Sequence, residues 1–195
     1  MRDIEQVCCG QMHINTGYPN LAKPLLDRVE RNFADCDYIV APSASCIGSL
    51  REYDDRPELV AKCFDLTEFL VDVLGVTDVG ATFKHRATYH STCHSLRVSR
   101  LGDKPMKLLR EVRGLELAEL PDADSCCGFG GTFSVKNPDV SGAMLADKLA
   151  AITSTQAEYV ISADNSCLMH ICGGIERNQG EARVIHLAEV LASNG

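Results

Sequence analysis

The chain has 195 residues, of which 45% are hydrophobic and 24% are charged, so it is long and apolar enough to fold around a core of its own. Nineteen basic residues against twenty-seven acidic ones give a formal net charge of -8, which argues against nucleic acid as a partner because phosphate binding needs a basic surface. The opening residues do not form a signal peptide and no apolar run is long enough to cross a bilayer, so we expect a cytoplasmic protein with no membrane span.

Apolar periodicity and turn residues predict helices and strands that alternate along the chain. Helices are predicted at 19–33, 50–62, 66–74, 104–112, 138–152 and 186–192, and strands at 38–41, 86–90, 115–120, 159–161 and 183–185. The predicted helix at 138–152 is strongly apolar. Short apolar strands that alternate with helices are typical of α/β proteins. The predicted fold class is therefore α/β, with short parallel sheets and flanking helices.

Ten cysteines are many for a chain of this size without a secretion signal. In a reducing compartment, such cysteine usage indicates metal binding or catalysis rather than a disulfide scaffold. Cys36 and Cys63 have no partner at ligand spacing and are interpreted as small buried hydrophobic residues. Cys172, a short distance beyond Cys167, is interpreted as a nearby thiol rather than a ligand.

Two copies of a Cys-Cys-Gly motif are the most informative feature of the sequence: Cys8-Cys9-Gly10 and Cys126-Cys127-Gly128. Successive side chains of a strand point to opposite faces, so two adjacent thiols can address one centre only where the backbone turns sharply. Glycine permits such a turn and lets the backbone approach whatever the sulfurs hold. We therefore include Gly128 in the predicted binding site.

These motifs belong to a longer repeat. The predicted strand Asp37–Val40, followed by Cys46, matches the predicted strand Glu158–Ile161, followed by Cys167. The order, the element types and the cysteines all agree, so coincidence is a poor explanation. We expect two pseudo-symmetric βα repeats.

The two repeats differ in completeness. Residues 1–78 are predicted to form the first repeat and residues 79–195 the second. Cys93 and the strand before it have no counterpart in the first repeat. The first repeat is therefore expected to be truncated at its N-terminus by roughly one βα unit.

The second repeat supplies four thiols from three separate strand ends: Cys93, Cys126, Cys127 and Cys167. Four sulfur ligands favour an iron-sulfur cluster or zinc over hard cations. The long gaps between them argue against a zinc finger, whose ligands come as closely spaced pairs. The first repeat offers only Cys8, Cys9 and Cys46, so we expect that site to be empty, labile or completed by a neighbouring chain.

The residues Cys93, Cys126–Gly128 and Ser166–Ile171 resemble the CCG family of cysteine-rich iron-sulfur proteins. That family includes a cysteine-rich component of heterodisulfide reductase, the iron-sulfur subunit of glycolate oxidase and lactate utilisation protein A, and the pattern of this chain is most similar to the last. The resemblance covers essentially the whole chain. It implies an electron-transfer subunit, not itself catalytic, that binds four-iron four-sulfur clusters through its CCG cysteines. Its implied partners are the other subunits of a complex that oxidises L-lactate to pyruvate.

One departure from the family pattern concerns the last motif. Heterodisulfide reductase relatives end it with Cys-x-x-Cys, whereas this chain has Cys167-x-x-His170 and Cys46-x-x-Ser49. A fifth thiolate is therefore missing. We expect one four-thiolate cluster, in the second repeat, with His170 among the residues that bind it.

Three other interpretations stay open. A zinc-binding structural module would use the same four thiols. A thiol enzyme would use Cys126 or Cys127 as its nucleophile, activated by His90, His94 or His170; the simpler interpretation of these histidines is that they are loop residues or neighbours of the ligands. The chain could also serve a glycolate oxidase or a heterodisulfide reductase-like complex. Nothing in the sequence indicates the oligomeric state.

Overall fold

The computed structural model describes residues 8–52 and 55–195 and has the α/β architecture that the sequence predicts. Its strands are β1 (Ile39–Ala41), β2 (Cys63–Asp65), β3 (Arg86–His90), β4 (Glu116–Ala118), β5 (Tyr159–Ser162) and β6 (Arg183–His186). Its helices are α1 (Gln11–Asn15), α2 (Pro19–Asn32), α3 (Ala44–Arg51), α4 (Pro57–Lys62), α5 (Leu66–Glu68), α6 (Lys104–Arg110), α7 (Thr132–Lys136), α8 (Pro138–Ser154), α9 (Asn165–Arg177) and α10 (Leu187–Leu191), with π-helical segments at Phe69–Val73 and His94–Val98. In these two ranges no helix has both the length and the apolar character needed to span a bilayer.

The strands form two parallel sheets. The small sheet pairs β1 with β2, and the large sheet has the order β4-β3-β5-β6. All strands of a parallel sheet end at the same edge, so the loops after β3 and β5 begin side by side. These are the loops that lead to Cys93 and Cys167.

The pairing registers of the two sheets confirm the repeat. Ala41 pairs with Asp65 in the small sheet, and Ser162 pairs with His186 in the large sheet. Asp65 and His186 then cap the helices that follow, α5 and α10. The same offset in residue number relates Ala41 to Ser162 and Asp65 to His186. The corresponding strands of the two sheets therefore pair in the same register. Among the described residues, β3 and β4 have no counterpart in the first repeat.

The central strand β5 separates two apolar cores. Ile161 packs on one face of the large sheet with Tyr89 and Leu187. Val160 packs on the other face, in the core that contains Cys127 and Cys167. Alternation along the strand accounts for this division. The predicted thiol site therefore lies against one face of the large sheet, at the edge where its strands end.

In the first repeat, helix α1 was not predicted, and two other places differ from the predicted elements. The helix predicted at 50–62 is two helices, α3 and α4, because Ser43 caps a helix that begins earlier and Pro57 starts another. Tyr53 and Asp54, inside the predicted helix, lie outside the described residues, as do residues 1–7. Strand β2 was not predicted, because its three residues lie between two predicted helices and only the pairing with β1 defines them as a strand.

Candidate metal centre

The second Cys-Cys-Gly motif forms the sharp turn that two adjacent thiols need. Gly128 has a φ of +90°, and its N–H donates a hydrogen bond to the Cys126 sulfur, with 3.3 Å between N and Sγ. A Cβ at Gly128 would lie 2.7 Å from the Ser141 carbonyl oxygen on α8. Cys127 is buried, whereas Cys126 is half-buried. Only glycine satisfies both the backbone angle and this close approach.

The first motif repeats this geometry. Gly10 has a φ of +86°, and its N–H donates to the Cys8 sulfur, with 3.4 Å between N and Sγ. A Cβ at Gly10 would lie 2.9 Å from the Cβ of Ala22 on α2. Cys9 is buried and Cys8 is exposed. The two Cys-Cys-Gly turns are therefore equivalent pieces of structure.

Cys46 and Cys167, which the sequence places after the ends of predicted strands, both lie in the first turn of a helix that was not predicted there, α3 and α9. The Ser43 side chain caps α3 by accepting a hydrogen bond from the Cys46 N–H, and the Asp164 side chain caps α9 by accepting one from the Ser166 N–H. Such polar caps start a helix directly after the strand. The partial positive charge of a helix N-terminus favours the thiolate form of cysteine.

The structure brings together the four thiols of the second repeat. Cys126 contacts Cys93 and Cys127, and Cys127 contacts Cys167. Hydrogen bonds from Cys127 and Cys93 lower the pKa of Cys126, and the bond from Cys127 lowers the pKa of Cys167 to about 6. The same bonds raise the pKa values of Cys93 and Cys127. Four thiols in mutual contact, two of them with lowered pKa values, suit a soft metal centre.

His90 is fully buried beside these thiols, at the end of β3. One ligand atom from each of His90, Cys127 and Cys167 lies within 4.8 Å of the other two. Neither ring nitrogen forms a hydrogen bond of ordinary geometry within the part of the chain that the structure describes, and the imidazole lies close enough to Cys167 to help lower the pKa of that thiol. Buried polar atoms nearly always have a partner. A metal ion or cluster held by the adjacent sulfurs fits this site, because it would supply the missing interaction.

His170 supports the Cys-Cys-Gly turn from the side of α9. Its Nε2 lies 3.4 Å from the Ser141 hydroxyl, and that hydroxyl donates to the Gly128 carbonyl at 2.8 Å. The imidazole also packs against the Phe129 ring, with 5.7 Å between ring centroids. These contacts connect His170 to the backbone of the predicted site through Ser141.

The first repeat assembles a smaller set of thiols. Cys9 and Cys46 are in contact, and the hydrogen bond from Cys9 lowers the pKa of Cys46 to about 6. The same bond raises the pKa of Cys9. Cys8 adjoins this pair through the turn at Gly10. The three first-repeat cysteines predicted as ligands thus lie in one place.

The two thiol sets face a common junction. The Ser45 N–H donates to Asp164, with 3.2 Å between N and Oδ2, and Gln11 Nε2 lies 2.7 Å from His94 Nε2. A cavity of about 400 Å³ opens at this junction, lined by all four second-repeat thiols and by residues of α1. A larger cavity, of about 1050 Å³, lies at the opposite end of β5 and β6, and none of the described cysteines lines it.

The remaining cysteines have other surroundings. Burial in an apolar core raises the pKa of Cys63 to about 11. The Cys172 thiol lies 3.5 Å from a Glu176 carboxylate oxygen on the same helix. No disulfide bond joins any of the ten cysteines, all of which lie in the described residues. The interpretation as a small buried hydrophobic residue is confirmed for Cys63 but not for Cys36, which is only half-buried.

Sequence reasoning missed Asp164 and Lys148. An Asp that precedes Asn165 and Ser166 after a strand is a recognisable N-cap, so Asp164 had a local signal. Lys148 had none, because a lysine in a helix normally reaches water. Its side chain is buried instead, and Nζ donates to the Asp122 carbonyl at 2.9 Å, in the loop before Cys126.

Comparison with known proteins gives consistent matches. The family model named CCG, cysteine-rich domain, matches residues 1–51 and 87–172. Lactate utilization protein A of Oceanobacillus iheyensis is 44% identical over 197 residues, which cover 95% of this chain and 81% of that protein. The protein of the same name from Geobacillus thermodenitrificans is 48% identical over 199 residues, covering 95% and 82%. The one from Bacillus subtilis is 44% identical over 199 residues, covering 96% and 84%.

The matched ranges include both Cys-Cys-Gly turns, Cys46, Cys93 and Cys167. The family model therefore covers the two thiol sets described above, and the relatives align with almost the entire chain. The chain belongs to the CCG family of cysteine-rich domain proteins, together with the proteins named lactate utilization protein A.

Proposed function

We propose that this chain is an iron-sulfur electron-transfer subunit of a lactate utilisation system, acting in the cytoplasm with other subunits that oxidise L-lactate to pyruvate. One observation carries the proposal: the contact of Cys93, Cys126, Cys127 and Cys167 beside the buried imidazole of His90, whose nitrogens form no hydrogen bond of ordinary geometry with the described residues. The names of the relatives support the link to lactate. Reduced thiols of this kind are typical of the cytoplasm.

The four second-repeat thiols are the proposed ligands of one four-iron four-sulfur cluster, which when bound supplies one-electron transfer. The Gly128 N–H already donates to the Cys126 sulfur. Hydrogen bonds to ligating sulfur stabilise the more electron-rich state of a cluster and raise its reduction potential. We assign this tuning to Gly128 and the support of its turn to His170 and Ser141.

Metal and sulfide analysis tests the cluster. The protein is purified without oxygen and reconstituted with ferrous iron and sulfide. We expect a brown protein with iron and acid-labile sulfide in near-equal amounts and visible absorption that bleaches on reduction. A colourless protein without iron after reconstitution would contradict the proposal.

Serine variants test the ligand set. Cys126→Ser, Cys127→Ser, Cys93→Ser and Cys167→Ser should each lose most of the iron, because each removes one thiolate. Cys172→Ser is the matched control, since its thiol bonds to Glu176, and it should keep the wild-type iron content. Equal iron content in all five variants would contradict the assignment.

A zinc site is the second candidate, and the compact group of His90, Cys127 and Cys167 favours it. Their ligand atoms lie close enough together to bind one ion. Zinc would give stoichiometric metal without sulfide or colour. The same analysis, made on protein as isolated, therefore decides between the two candidates.

The link to lactate needs a separate experiment. A strain that lacks this gene should fail to grow on L-lactate and grow normally on another carbon source. Wild-type protein and Cys172→Ser should restore growth, whereas Cys127→Ser should not. Normal growth of the deletion strain on L-lactate would point to another substrate, such as glycolate. Growth of the deletion strain on glycolate would then test that alternative.

A further inference from the structure

Lys148 has the largest fully buried side chain among the described residues, with 1% of its surface exposed. It belongs to α8, and its ammonium group donates one hydrogen bond, to the Asp122 carbonyl at 2.9 Å. Within residues 8–52 and 55–195, it forms no ion pair with a carboxylate. A buried cation with a single neutral partner is unusual, because losing water around a charge costs several kcal/mol unless another charge compensates it.

The negative charges around Lys148 belong to the Cys-Cys-Gly loop. Burial lowers the pKa of Lys148, and the negatively charged forms of Cys127, Asp122, Asp124 and Cys126 oppose that shift. The two aspartates are exposed to water, which screens their charges. Cys127 is buried and Cys126 is half-buried, so their sulfurs act through a medium of lower dielectric constant. The charge that can compensate Lys148 is therefore the one that Cys127 and Cys126 carry when they bind a metal as thiolates.

We propose that Lys148 compensates the negative charge of the sulfur-bound centre and raises its reduction potential. The inference rests on the cluster proposed above. A cluster with four thiolate ligands gains one negative charge on reduction, so a buried cation nearby stabilises the reduced state more than the oxidised state. Lys148 is a positioning and tuning residue in this proposal and not a ligand.

The competing explanation is that Lys148 only holds the loop in place through the Asp122 carbonyl. Two variants separate these roles. Lys148→Gln removes the charge and retains a hydrogen-bond donor, whereas Lys148→Met removes both and keeps a similar length. Lys148→Arg retains the charge. Lys136→Gln removes a charge from an exposed lysine on α7 and serves as the matched control.

The measurement is the midpoint potential of the reconstituted protein, followed by visible absorption and electron paramagnetic resonance in an anaerobic redox titration. We expect Lys148→Gln and Lys148→Met to lower the midpoint potential by at least about 59 mV, which corresponds to a tenfold change in the equilibrium of a one-electron reduction. Lys148→Arg should stay near the wild-type value. Lys136→Gln should change the potential little, because water and salt screen its charge.

A wild-type potential in Lys148→Gln would overturn the inference. Loss of iron in Lys148→Met would not rescue it, because a purely structural role of Lys148 predicts both of these results. Failure of both neutral variants to fold, with Lys148→Arg folding normally, would also count against a redox role. Absence of iron and sulfide in the wild-type protein would instead contradict the cluster itself. The two failures are therefore distinguishable.

Discussion

The Asp164 carboxylate joins the two repeats: its Oδ2 accepts a hydrogen bond from the Ser45 N–H at 3.2 Å, while its Oδ1 accepts from the Ser166 N–H at 3.1 Å. One buried side chain thus caps the helix that bears Cys167 and anchors the helix that bears Cys46. Any change at Asp164 should therefore affect both thiol sets.

Asp164→Ala should lower the free energy of unfolding of the metal-free protein by about 2 kcal/mol, because it removes a helix cap and leaves a buried N–H without a partner. Urea unfolding followed by circular dichroism measures this. Ser43→Ala is the matched control: it removes the cap of α3 and the hydrogen bond between the Ser43 and Ser45 hydroxyls but leaves the Ser45 N–H able to donate to Asp164, and it should cost about 1 kcal/mol. An equal loss in both variants would mean that the contact between the repeats contributes nothing.

Gly128→Ala should destabilise the metal-free protein by about 2 kcal/mol and reduce iron binding. Its φ of +90° strains any other residue, and the new Cβ would meet the Ser141 carbonyl oxygen at 2.7 Å. Gly17→Ala is the comparison, because that residue has a φ of +86° but nothing within 4 Å of the new Cβ. It should cost only about 1 kcal/mol. Urea unfolding and iron analysis of the two variants would contradict this account if Gly17→Ala were the more damaging.

His90→Leu should have opposite effects on the two forms of the protein. Without metal, it removes a buried imidazole whose nitrogens form no hydrogen bond of ordinary geometry with the described residues and should raise the free energy of unfolding by about 1 kcal/mol. With iron and sulfide, it removes the group beside Cys127 and Cys167 and should decrease metal retention or shift the visible spectrum. Thermal unfolding of both forms tests this. A destabilised metal-free variant would show that His90 already has a partner without metal.

Asp65 should make stability depend on pH. Burial raises the pKa of Asp65 above its ordinary value, so the folded state favours the protonated carboxyl. Its stabilising contribution is therefore fully present below the unfolded pKa, about 3.9, and is lost as pH rises through the higher folded pKa. Asp65→Asn retains an oxygen for the Thr67 N–H and hydroxyl and removes the charge.

Relative to wild type, Asp65→Asn should consequently gain stability as pH rises from about 4 to 7. Urea unfolding at several pH values measures the difference between the two proteins. Asp65→Ala, which also removes the cap, should be less stable than Asp65→Asn at every pH by about 1 kcal/mol. A difference between wild type and Asp65→Asn that did not change with pH would contradict the raised pKa.

Several features of this protein could be predicted from local sequence alone. The glycines after Cys9 and Cys127 predict a turn because few other residues adopt positive φ, and the structure has that turn at Gly10 and Gly128. The strand at 86–90 and the α/β class followed from apolar patterns. The internal repeat followed from matching order, and the shared sheet register confirms it.

The tertiary structure determined which residues are in contact with one another. The contacts of Cys126 with Cys93, of Asp164 with Ser45, and of Lys148 with the loop before Cys126 join residues far apart in sequence, and no periodicity encodes such contacts. Local chemistry by itself determined which side chains can bind a metal and where the backbone turns. Burial determined which of these side chains hold a charge away from water. Burial depends on packing between elements, so the residues of any one element do not determine it.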